Sequence, residues 1–296
     1  MSDFFQLVLN GLVAGSVLAI SALGITIIYG LLRIANFAYG DYLTFGAFIA
    51  FFVNVTVGSN IVLATLVAIL ATAGLAIALE FVFWRPLRRR GSDFVSLFLC
   101  SLGLALVLRY AIFLVAGPET RSYKVDQFAV DRFFGLTLAH SATIGIVITI
   151  LTMVGVGLLL AYTTIGRSLR AVGDDAHLAA SSGINPDRVI VHAWILAGGL
   201  AGLAGVVQGL TFVAFDGNMG GALVLSMFVA VILGGIGDPY GALIGGLAVG
   251  VITELSTWEA LAGGVDPRYK PVVAFVILGA ALIVRPYGVF GRARLR

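Results

Sequence analysis

Charged residues are scarce in this chain. Only 11% of its 296 residues are Asp, Glu, Lys or Arg, whereas 60% are hydrophobic. A soluble domain carries about 25% charged residues, so this composition leaves too little polar surface to face water. The shortage indicates an integral membrane protein.

Cysteine and lysine are nearly absent as well. The single cysteine, Cys100, excludes an internal disulfide and suggests no redox role. Lys124 and Lys270 each follow a tyrosine rather than a glycine, so the chain contains no Walker A phosphate-binding loop. We therefore expect this chain to bind no cofactor and any ATP hydrolysis to take place on another chain.

Patterns typical of catalysis and metal binding are missing too. The sequence has no Gly-x-Ser-x-Gly, no His-Glu-x-x-His and no Cys-x-x-Cys. Its histidines, His140, His177 and His192, lie far apart near the edges of hydrophobic runs, which favours interfacial polar residues over metal ligands. The net charge of +3 is too small for nucleic-acid binding. We predict no catalytic residue, no metal site and no enzymatic activity.

Long hydrophobic runs are what the chain does have. A helix needs about 20 apolar residues to cross the hydrocarbon, and no run alternates as a barrel strand would. The long runs are 5–31, 37–57, 61–84, 94–116, 142–162, 189–213 and 271–286, and two shorter runs, either two crossings or a re-entrant pair, are 222–237 and 240–257. They predict an all-α, polytopic membrane helix bundle of about 8–9 transmembrane or re-entrant segments in a single domain, 1–296. The N-terminal MSDFFQLVLNG has no basic region and no cleavage site, so we expect it to begin the first span.

Clustered arginines predict which side each loop occupies. The loop RPLRRRG at 85–91, the pair Arg167 and Arg170, and the tail GRARLR at 291–296 are all basic. The positive-inside rule places them in the cytoplasm, together with the C-terminus. The loops at 117–141 and 258–270 then lie outside, and counting spans back also places the N-terminus outside.

One polar stretch, TTIGRSLRAVGDDAHLAASSGINPDR at 163–188, interrupts the hydrophobic pattern. Within it we predict a short helix, DAHLAAS, with Asp174 as the N-cap, Gly183 in the left-handed C′ position and Pro186 preventing continuation. A short capped helix between two spans is either a docking element or an ordinary solvated loop. The residues alone leave both readings open.

Polar residues inside hydrophobic runs are costly, so each needs a reason. The segment LLRIANFAYGDYL contains Asn36, Tyr39 and Asp41, and the later segment GGIGDPYGALIGG contains Asp238 and Tyr240. Similar interruptions in two halves of a transporter predict a central site, where half-helix N-termini offer N–H groups to a substrate carboxylate. The alternative is two tight turns between spans.

Single charges within other runs have two interpretations. Arg109 lies well inside 94–116, where it either lines a pathway or pairs with a carboxylate on another helix, and Glu254 lies near the end of 240–257. We expect Glu80 and Arg33 to reach the membrane interface. The glycine-rich spans predict close helix packing, mainly within the chain.

Four segments resemble one family, in the same order along the chain. The stretch GRSLRAVGDDAHLAASSGIN is similar to the cytoplasmic coupling loop of ABC importer permeases. The matching segments are NGLVAGSVLAISALGITIIYGLLRIANFAYGDYLTFGAF at 10–48, VILGGIGDPYGALIGG at 231–246 and RPYGVFGR at 285–292. Together they resemble the branched-chain amino acid permease family, in its smaller subunit type, over essentially the whole chain.

The resemblance implies one half of a transmembrane pathway in the bacterial inner membrane, which imports branched-chain or related amino acids. It implies four kinds of partner: a second related permease, two cytoplasmic ATPase subunits that hold ATP and magnesium, a periplasmic substrate-binding protein, and membrane lipid. A permease for urea, short amides or another small polar solute remains open. The positions that correspond to ATPase coupling in the 163–188 loop are Arg167, Arg170, Asp174, Asp175, Ala179, Ala180 and Gly183. The importer pattern has a glutamate before the paired alanines, whereas here the acids stand farther upstream.

A different class of function also fits the residues. A self-sufficient secondary transporter or channel uses broken helices and buried charges in the same way. Such a protein moves its substrate alone, driven by an ion gradient.

Overall fold

The computed structural model describes residues 2–125, 130–133, 136–212, 214–258, 264–285 and 288–290. The basic tail at 291–296 lies outside the described residues. The helices are α1 (Ser2–Leu32), α2 (Tyr39–Phe51), α3 (Ile61–Leu79), α4 (Arg85–Arg89), α5 (Phe94–Ala116), α6 (His140–Tyr162), α7 (Thr164–Asp174), α8 (Ala176–Ser181), α9 (Pro186–Thr211), α10 (Met219–Gly234), α11 (Pro239–Leu255) and α12 (Lys270–Val284). Single π-helical turns, Phe52–Thr56 and Glu80–Trp84, follow α2 and α3, and a short 3₁₀ turn, Pro267–Tyr269, precedes α12.

Among the described residues, six helical stretches are long and apolar enough to cross a membrane. They are Asp3–Leu32, Ile61–Arg89, Phe94–Ala116, His140–Tyr162, Pro186–Thr211 and Pro267–Val284. The shorter apolar helices are α10 and α11, and α2 is a further short helix of 13 residues. The predicted polytopic helix bundle is therefore confirmed. A two-stranded antiparallel hairpin of β1 (Val130–Phe133) and β2 (Leu136–Ala139), which the sequence did not predict, lies beside α1 and α6.

One end of the bundle gathers the basic segments, and we call it the basic end: α4, α7, α8 and residues 288–290. The guanidinium of Arg85 lies 2.5 Å from the carboxylate of Asp187, at the start of α9. A Cβ added at Gly173 of α7 would lie 3.3 Å from the carbonyl oxygen of Gly30, near the end of α1. Residues 288–290 hydrogen-bond the C-terminal end of α10. The segments predicted to share one side of the membrane thus meet at one end, as far as the structure describes them.

The opposite end holds the start of α1, the connection between α2 and α3, and the residues that follow α5 and α11. The rings of Phe4 and Trp258 lie 5.4 Å apart there. The side chain of Asn54 accepts a hydrogen bond from the N–H of Lys124 at 2.7 Å and donates one to the carbonyl of Ser59 at 2.9 Å. Because α1 is unbroken from Ser2 to Leu32, the chain enters at this end and first reaches the basic end at the close of α1.

The core is a row of four helices in the order α3, α9, α1 and α11. Glycine lets their backbones touch. A Cβ added at Gly15 of α1 would lie 2.9 Å from the Cα of Leu247, and one at Gly198 of α9 would lie 2.9 Å from the Cα of Ala73. In lipid, helices associate through such close approach at small residues. These glycines are therefore used for packing within the chain, as expected.

The helices follow an internal symmetry. α2 covers α3 and α9, while α10 covers α11 and α1, and α2 and α10 contact each other. On the outside, α5 packs on α2 and α12 on α10. A pseudo-two-fold relation accounts for all of these contacts, with α1, α2, α3 and α5 matching α9, α10, α11 and α12. The matched helices run in opposite directions, so the fold is an inverted repeat.

Both short helices begin inside the bundle. After α1 the chain turns back at Arg33, whose φ is +53°. The hydroxyl of Ser101 then hydrogen-bonds two backbone groups of the returning chain. This hydroxyl donates to the carbonyl of Ala35 at 3.1 Å and accepts from the N–H of Phe37 at 3.2 Å. In the other half the chain returns between α9 and α10, where Gly217 packs against the ring of Phe113.

The second interruption was predicted in the wrong place. The segment GGIGDPYG is a tight turn between α10 and α11, with positive φ at Gly235 and Gly237 and a hydrogen bond of 3.1 Å from the N–H of Asp238 to the carbonyl of Gly235. The counterpart of the first interruption is the connection between α9 and α10, which is described at 214–218. The tight-turn alternative therefore holds for this segment and not for the earlier one.

Candidate functional site

The N-termini of α2 and α10 meet within the bundle. Gly40 and Gly220, each the second residue of its helix, pack backbone against backbone, so that a side chain at either would overlap the other's carbonyl. The hydroxyl of Thr44 joins the two helices, because it accepts from the N–H of Gly220 at 3.0 Å and donates to the carbonyl of Gly40 at 3.2 Å. Two helix starts, each with a partial positive charge, thus face one central point.

A buried ion pair occupies this point. The Nε of Arg109 lies 3.0 Å from Oδ1 of Asp41, and Nη2 lies 3.4 Å from Oδ2. The side chain of Asp41 is 0% exposed, whereas that of Arg109 is 23% exposed. The guanidinium also rests against Gly221, where an added Cβ would overlap it. Arg109 therefore has a carboxylate partner on another helix, and the pair lies where the two interrupted helices meet.

The other polar residues of the first interruption shape the start of α2. The side chain of Asn36 accepts a hydrogen bond from the N–H of Ala38 at 3.1 Å. The hydroxyl of Tyr39 donates to the carbonyl of Ala197 on α9 at 2.9 Å. Both residues are buried. They hold the half-helix in place and leave Asp41 as the charged residue of α2.

The remaining pathway candidates lie elsewhere. Asp238 caps α11 at the basic end, where its carboxylate accepts from the N–H of Tyr240 at 2.9 Å. Tyr240 is exposed and donates its hydroxyl proton to the carbonyl of Gly157. Glu254 lies at the opposite end, 2.6 Å from Nζ of Lys270. The structure thus brings Asn36, Tyr39, Asp41 and Arg109 together and leaves these three residues apart from them.

At the basic end, α7 forms the first part of the loop predicted at 163–188, whereas the sequence predicted helix only after Asp174. Gly166, Leu169 and Val172 form its buried face, which packs on α1, α6 and α9. The guanidinium of Arg170 donates to the carbonyl of Leu160, one of the carbonyls that the end of α6 leaves without a helical partner. Arg170 therefore anchors α7 to the bundle, although both Arg170 and Arg167 are exposed.

The N-cap of α8 is Asp175 and not Asp174, which is the last residue of α7. The Asp175 carboxylate accepts from the N–H of Leu178 at 3.0 Å and of His177 at 2.8 Å. These bonds hold the pKa of the Asp175 carboxyl below its usual value. The cap therefore stabilises α8 at neutral pH and is lost as the pH falls through that lowered pKa.

The C-terminus of α8 follows the prediction. Gly183 has a φ of +85°, its N–H bonds the carbonyl of Ala180 at 3.0 Å, and the N–H of Ile184 bonds the carbonyl of Ala179 at 3.0 Å. This is a Schellman motif. Ala179 is buried against the bundle, while Ala180 and Gly183 are exposed and Leu178 is 67% exposed. The element presents an apolar side chain outward from the basic end.

The start of α9 is tied to α4. Asn185 caps α9, and Asp187 in its first turn pairs with Arg85 at 2.5 Å and lies 3.9 Å from Arg89. The neighbouring Glu80 was expected to reach the interface, but its side chain is only 3% exposed and pairs with Arg88. The π-helical turn turns Glu80 inward, so its partner comes from α4 of the same segment.

Comparison with known proteins decides the family. A family described as the branched-chain amino acid transport system / permease component matches residues 7–282. The chain belongs to this family. The predicted resemblance is thereby confirmed, and the permease is a membrane transport component.

Relatives of this permease match along nearly its whole length. The high-affinity branched-chain amino acid transport system permease protein BraD of Pseudomonas aeruginosa is 29% identical over 303 residues, which cover 98% of this chain and 96% of that protein. LivH of Escherichia coli K12, which carries the same description, is 30% identical over 302 residues, with the same coverage. A nucleoside ABC transporter permease, NupB of Lactococcus lactis, is 28% identical over 153 residues, which cover 51% of this chain and 42% of that protein.

Two aromatic groups of the permease were missed by sequence reasoning. Trp84 and Trp194 stack 6.0 Å apart, and the indole N–H of Trp84 donates to the hydroxyl of Tyr42 at 3.4 Å. Phe37 stacks on Phe228 at 4.5 Å, on the basic-end side of the ion pair. Aromatic residues are common in this sequence, and only their position beside a broken helix distinguishes these. No group of three metal-binding side chains is found in the described part of the chain.

Proposed function

We propose that this permease is the transmembrane subunit of an ATP-driven importer of branched-chain amino acids in the bacterial inner membrane. It works with a second related permease, two cytoplasmic ATPase subunits and a periplasmic binding protein. The family, the descriptions of the full-length relatives and the form of α8 support this proposal. The basic end then faces the cytoplasm, as the arginine distribution favours.

The exposed, doubly capped α8 carries the proposal. It presents Leu178 at 67% exposure on a helix that is capped at both ends, so this apolar side chain is held in a fixed position. α7 fixes this helix to the ends of α1, α6 and α9. A rigid apolar knob on a cytoplasmic surface is suited to a groove in a partner protein. The ATPase is the partner that a permease without a nucleotide site requires.

A continuous set of contacts leads from α8 to the ion pair. α8 is followed directly by α9, which carries Trp194. Trp194 stacks on Trp84, and Trp84 hydrogen-bonds Tyr42 of α2, the residue next to Asp41. A displacement of α8 by the closing ATPases reaches the start of α2 along this route.

The first experiment replaces Leu178, the exposed apolar side chain of α8. The variant Leu178→Asp, reconstituted in liposomes with its partner subunits and binding protein, is expected to lose most leucine uptake and most stimulation of ATP hydrolysis. A charge at this position opposes burial in an apolar groove. Uptake of radiolabelled leucine and phosphate release are measured on the same vesicles.

Leu178→Met is the matched control, since it keeps an apolar side chain of similar volume, and near wild-type coupling is expected. If Leu178→Asp transports leucine and stimulates hydrolysis as well as Leu178→Met, α8 is not the coupling element. If the isolated permease moves leucine without its partners, the chain is a self-sufficient transporter and the proposal fails.

A second experiment tests the side of the membrane. Ala180→Cys, in a Cys100→Ala background, introduces a thiol at an exposed position of α8. A membrane-impermeant maleimide is expected to label it in inside-out vesicles and not from outside intact cells. Labelling from outside would place α8 in the periplasm, where no ATPase can bind.

A further inference from the structure

In the Asp41–Arg109 pair, the carboxylate is buried and the guanidinium is partly exposed to solvent. Asp41 is fully buried, and both of its carboxylate oxygens are held by Arg109. Arg109 keeps 23% of its side chain exposed, and no described residue accepts a hydrogen bond from its Nη1. The pair therefore offers an accessible cationic group with a carboxylate directly behind it.

The position of the pair is suited to contact with a substrate. It lies where α2 and α10 meet, and the guanidinium packs so closely on Gly221 that a side chain at that position would overlap it. Beside it, Ala222 and Leu225 of α10 and Asn218, the residue before α10, are exposed. On α5, the exposed Leu106 and Tyr110 flank Arg109. A solute that follows this face meets Arg109 as the charged group in its way, among the residues described here.

An amino acid carries both charges that such a pair needs. Opening a buried ion pair is costly because each ion is left without its partner. A zwitterion avoids that cost, since its carboxylate replaces Asp41 at the guanidinium while its ammonium group replaces Arg109 at Asp41. A sugar or a nucleoside has no ammonium and carboxylate groups attached to one carbon and cannot replace the two partners in this way.

We propose that Asp41 and Arg109 form an exchange pair, which opens to accept the α-carboxylate and α-ammonium groups of a zwitterionic amino acid and closes behind it. This inference rests on the proposed import of amino acids and names the residues that select for the zwitterion. The aliphatic side chain of the substrate does not contact the pair in this proposal. The pair therefore selects for the α-carboxylate and α-ammonium groups that all amino acids share and not for one particular side chain.

The test replaces the pair by neutral groups of similar shape. The double variant Asp41→Asn/Arg109→Gln keeps hydrogen-bonding side chains at both positions and leaves no charge unpaired, so it is expected to assemble. The complete complex is reconstituted with the binding protein, and leucine uptake and ATP hydrolysis are measured together. We expect hydrolysis stimulated by the loaded binding protein to persist, while leucine transported per ATP falls by about tenfold or more, as the loss of a charge-assisted contact implies.

The matched control neutralises another ion pair of the same chain. Glu119 and Arg121 lie 3.2 Å apart in the loop at the opposite end, away from the helix starts. The double variant Glu119→Gln/Arg121→Gln is expected to keep the wild-type ratio of leucine to ATP. A purely structural role of the Asp41–Arg109 pair predicts lower thermal stability and a parallel loss of both activities in the neutral variant, with no change in their ratio.

The outcomes separate this inference from the function on which it rests. An unchanged ratio in Asp41→Asn/Arg109→Gln, or a parallel loss of both activities, overturns the exchange pair and leaves the importer intact. Failure of the wild-type complex to take up leucine rejects the proposed function itself. If the double variant does not assemble, Arg109→Lys decides the matter: a several-fold lower ratio supports the exchange pair, and a wild-type ratio overturns it.

Discussion

The two halves of this permease share a plan and differ in charge. In the first half the third residue of the short helix is Asp41, and in the second half it is Gly221. Arg109 on α5 lies between them, bonded to the first and packed against the second. The matching helix α12 has no charged residue after Lys270, its first residue.

This difference separates architecture from chemistry. The inverted repeat supplies two helix starts inside the bundle, and Gly40 and Gly220 serve that purpose equally. Charge appears on one side only, so the centre is polar without holding four ions that would need further partners in lipid. One half of the repeat therefore provides the ion pair, and the other provides the space against which it rests.

The largest expected effect comes from removing charge from the first half. Asp41→Ala leaves the Arg109 guanidinium without its carboxylate in the membrane interior, and we expect a loss of about 3–5 kcal/mol in the free energy of unfolding. Asp238→Ala, in the second half, removes only the cap of α11 and is expected to cost about 1 kcal/mol. Unfolding in graded detergent mixtures measures both. Equal losses would show that the halves do not differ in this respect.

A glycine substitution tests the backbone packing that the two halves share. Gly220→Ala places a methyl group onto the backbone of Gly40, and we expect a loss of about 3 kcal/mol, since neither backbone can move aside easily. Gly103→Ala is the control, because a Cβ there meets nothing within 4 Å. It should leave stability unchanged or slightly raised, since alanine is the better helix former. Thermal denaturation in detergent compares the two variants.

A smaller effect is expected from the link between α8 and the first half. Trp84→Phe preserves most of the volume but removes the hydrogen bond to Tyr42, so we expect less than about 1.5 kcal/mol of destabilisation. The ratio of leucine transported to ATP hydrolysed should nevertheless fall. Trp258→Phe, at the opposite end beside Phe4, should leave that ratio unchanged. The link is absent if both variants behave alike.

Sequence reasoning found the first interruption and missed the second for a physical reason. The first carries Asp41 inside an otherwise apolar run, which is costly and therefore conspicuous. The second, around Gly217 and Gly220, has its acid, Asp216, in the connection before α10, so it resembles an ordinary loop between two spans. The partner of Asp41 was also out of reach, because 68 positions along the chain separate it from Arg109 and only the packing of α5 on α2 brings them together.

The loop at 163–188 was predicted in part. Gly183 ends α8 as its conformational freedom requires. α7 was missed because Gly166 and Gly173 weaken a helix considered alone, and its stability comes from packing against α1, α6 and α9. The N-cap was off by one residue, since Asp174 and Asp175 are equally good caps by type and the end of α7 determines which is used.

The π-helical turn at the end of α3 has a consequence for how this protein can move. Such a turn contains one residue more than an α-helical turn of the same height. If this turn becomes α-helical, the residues that follow it rotate by about 100° relative to α3. Trp84 would then leave its place beside Trp194, and α4 would swing its arginines away from Asp187. The turn thus has two discrete geometries, π-helical and α-helical, and the change between them would move Trp84 and α4 together.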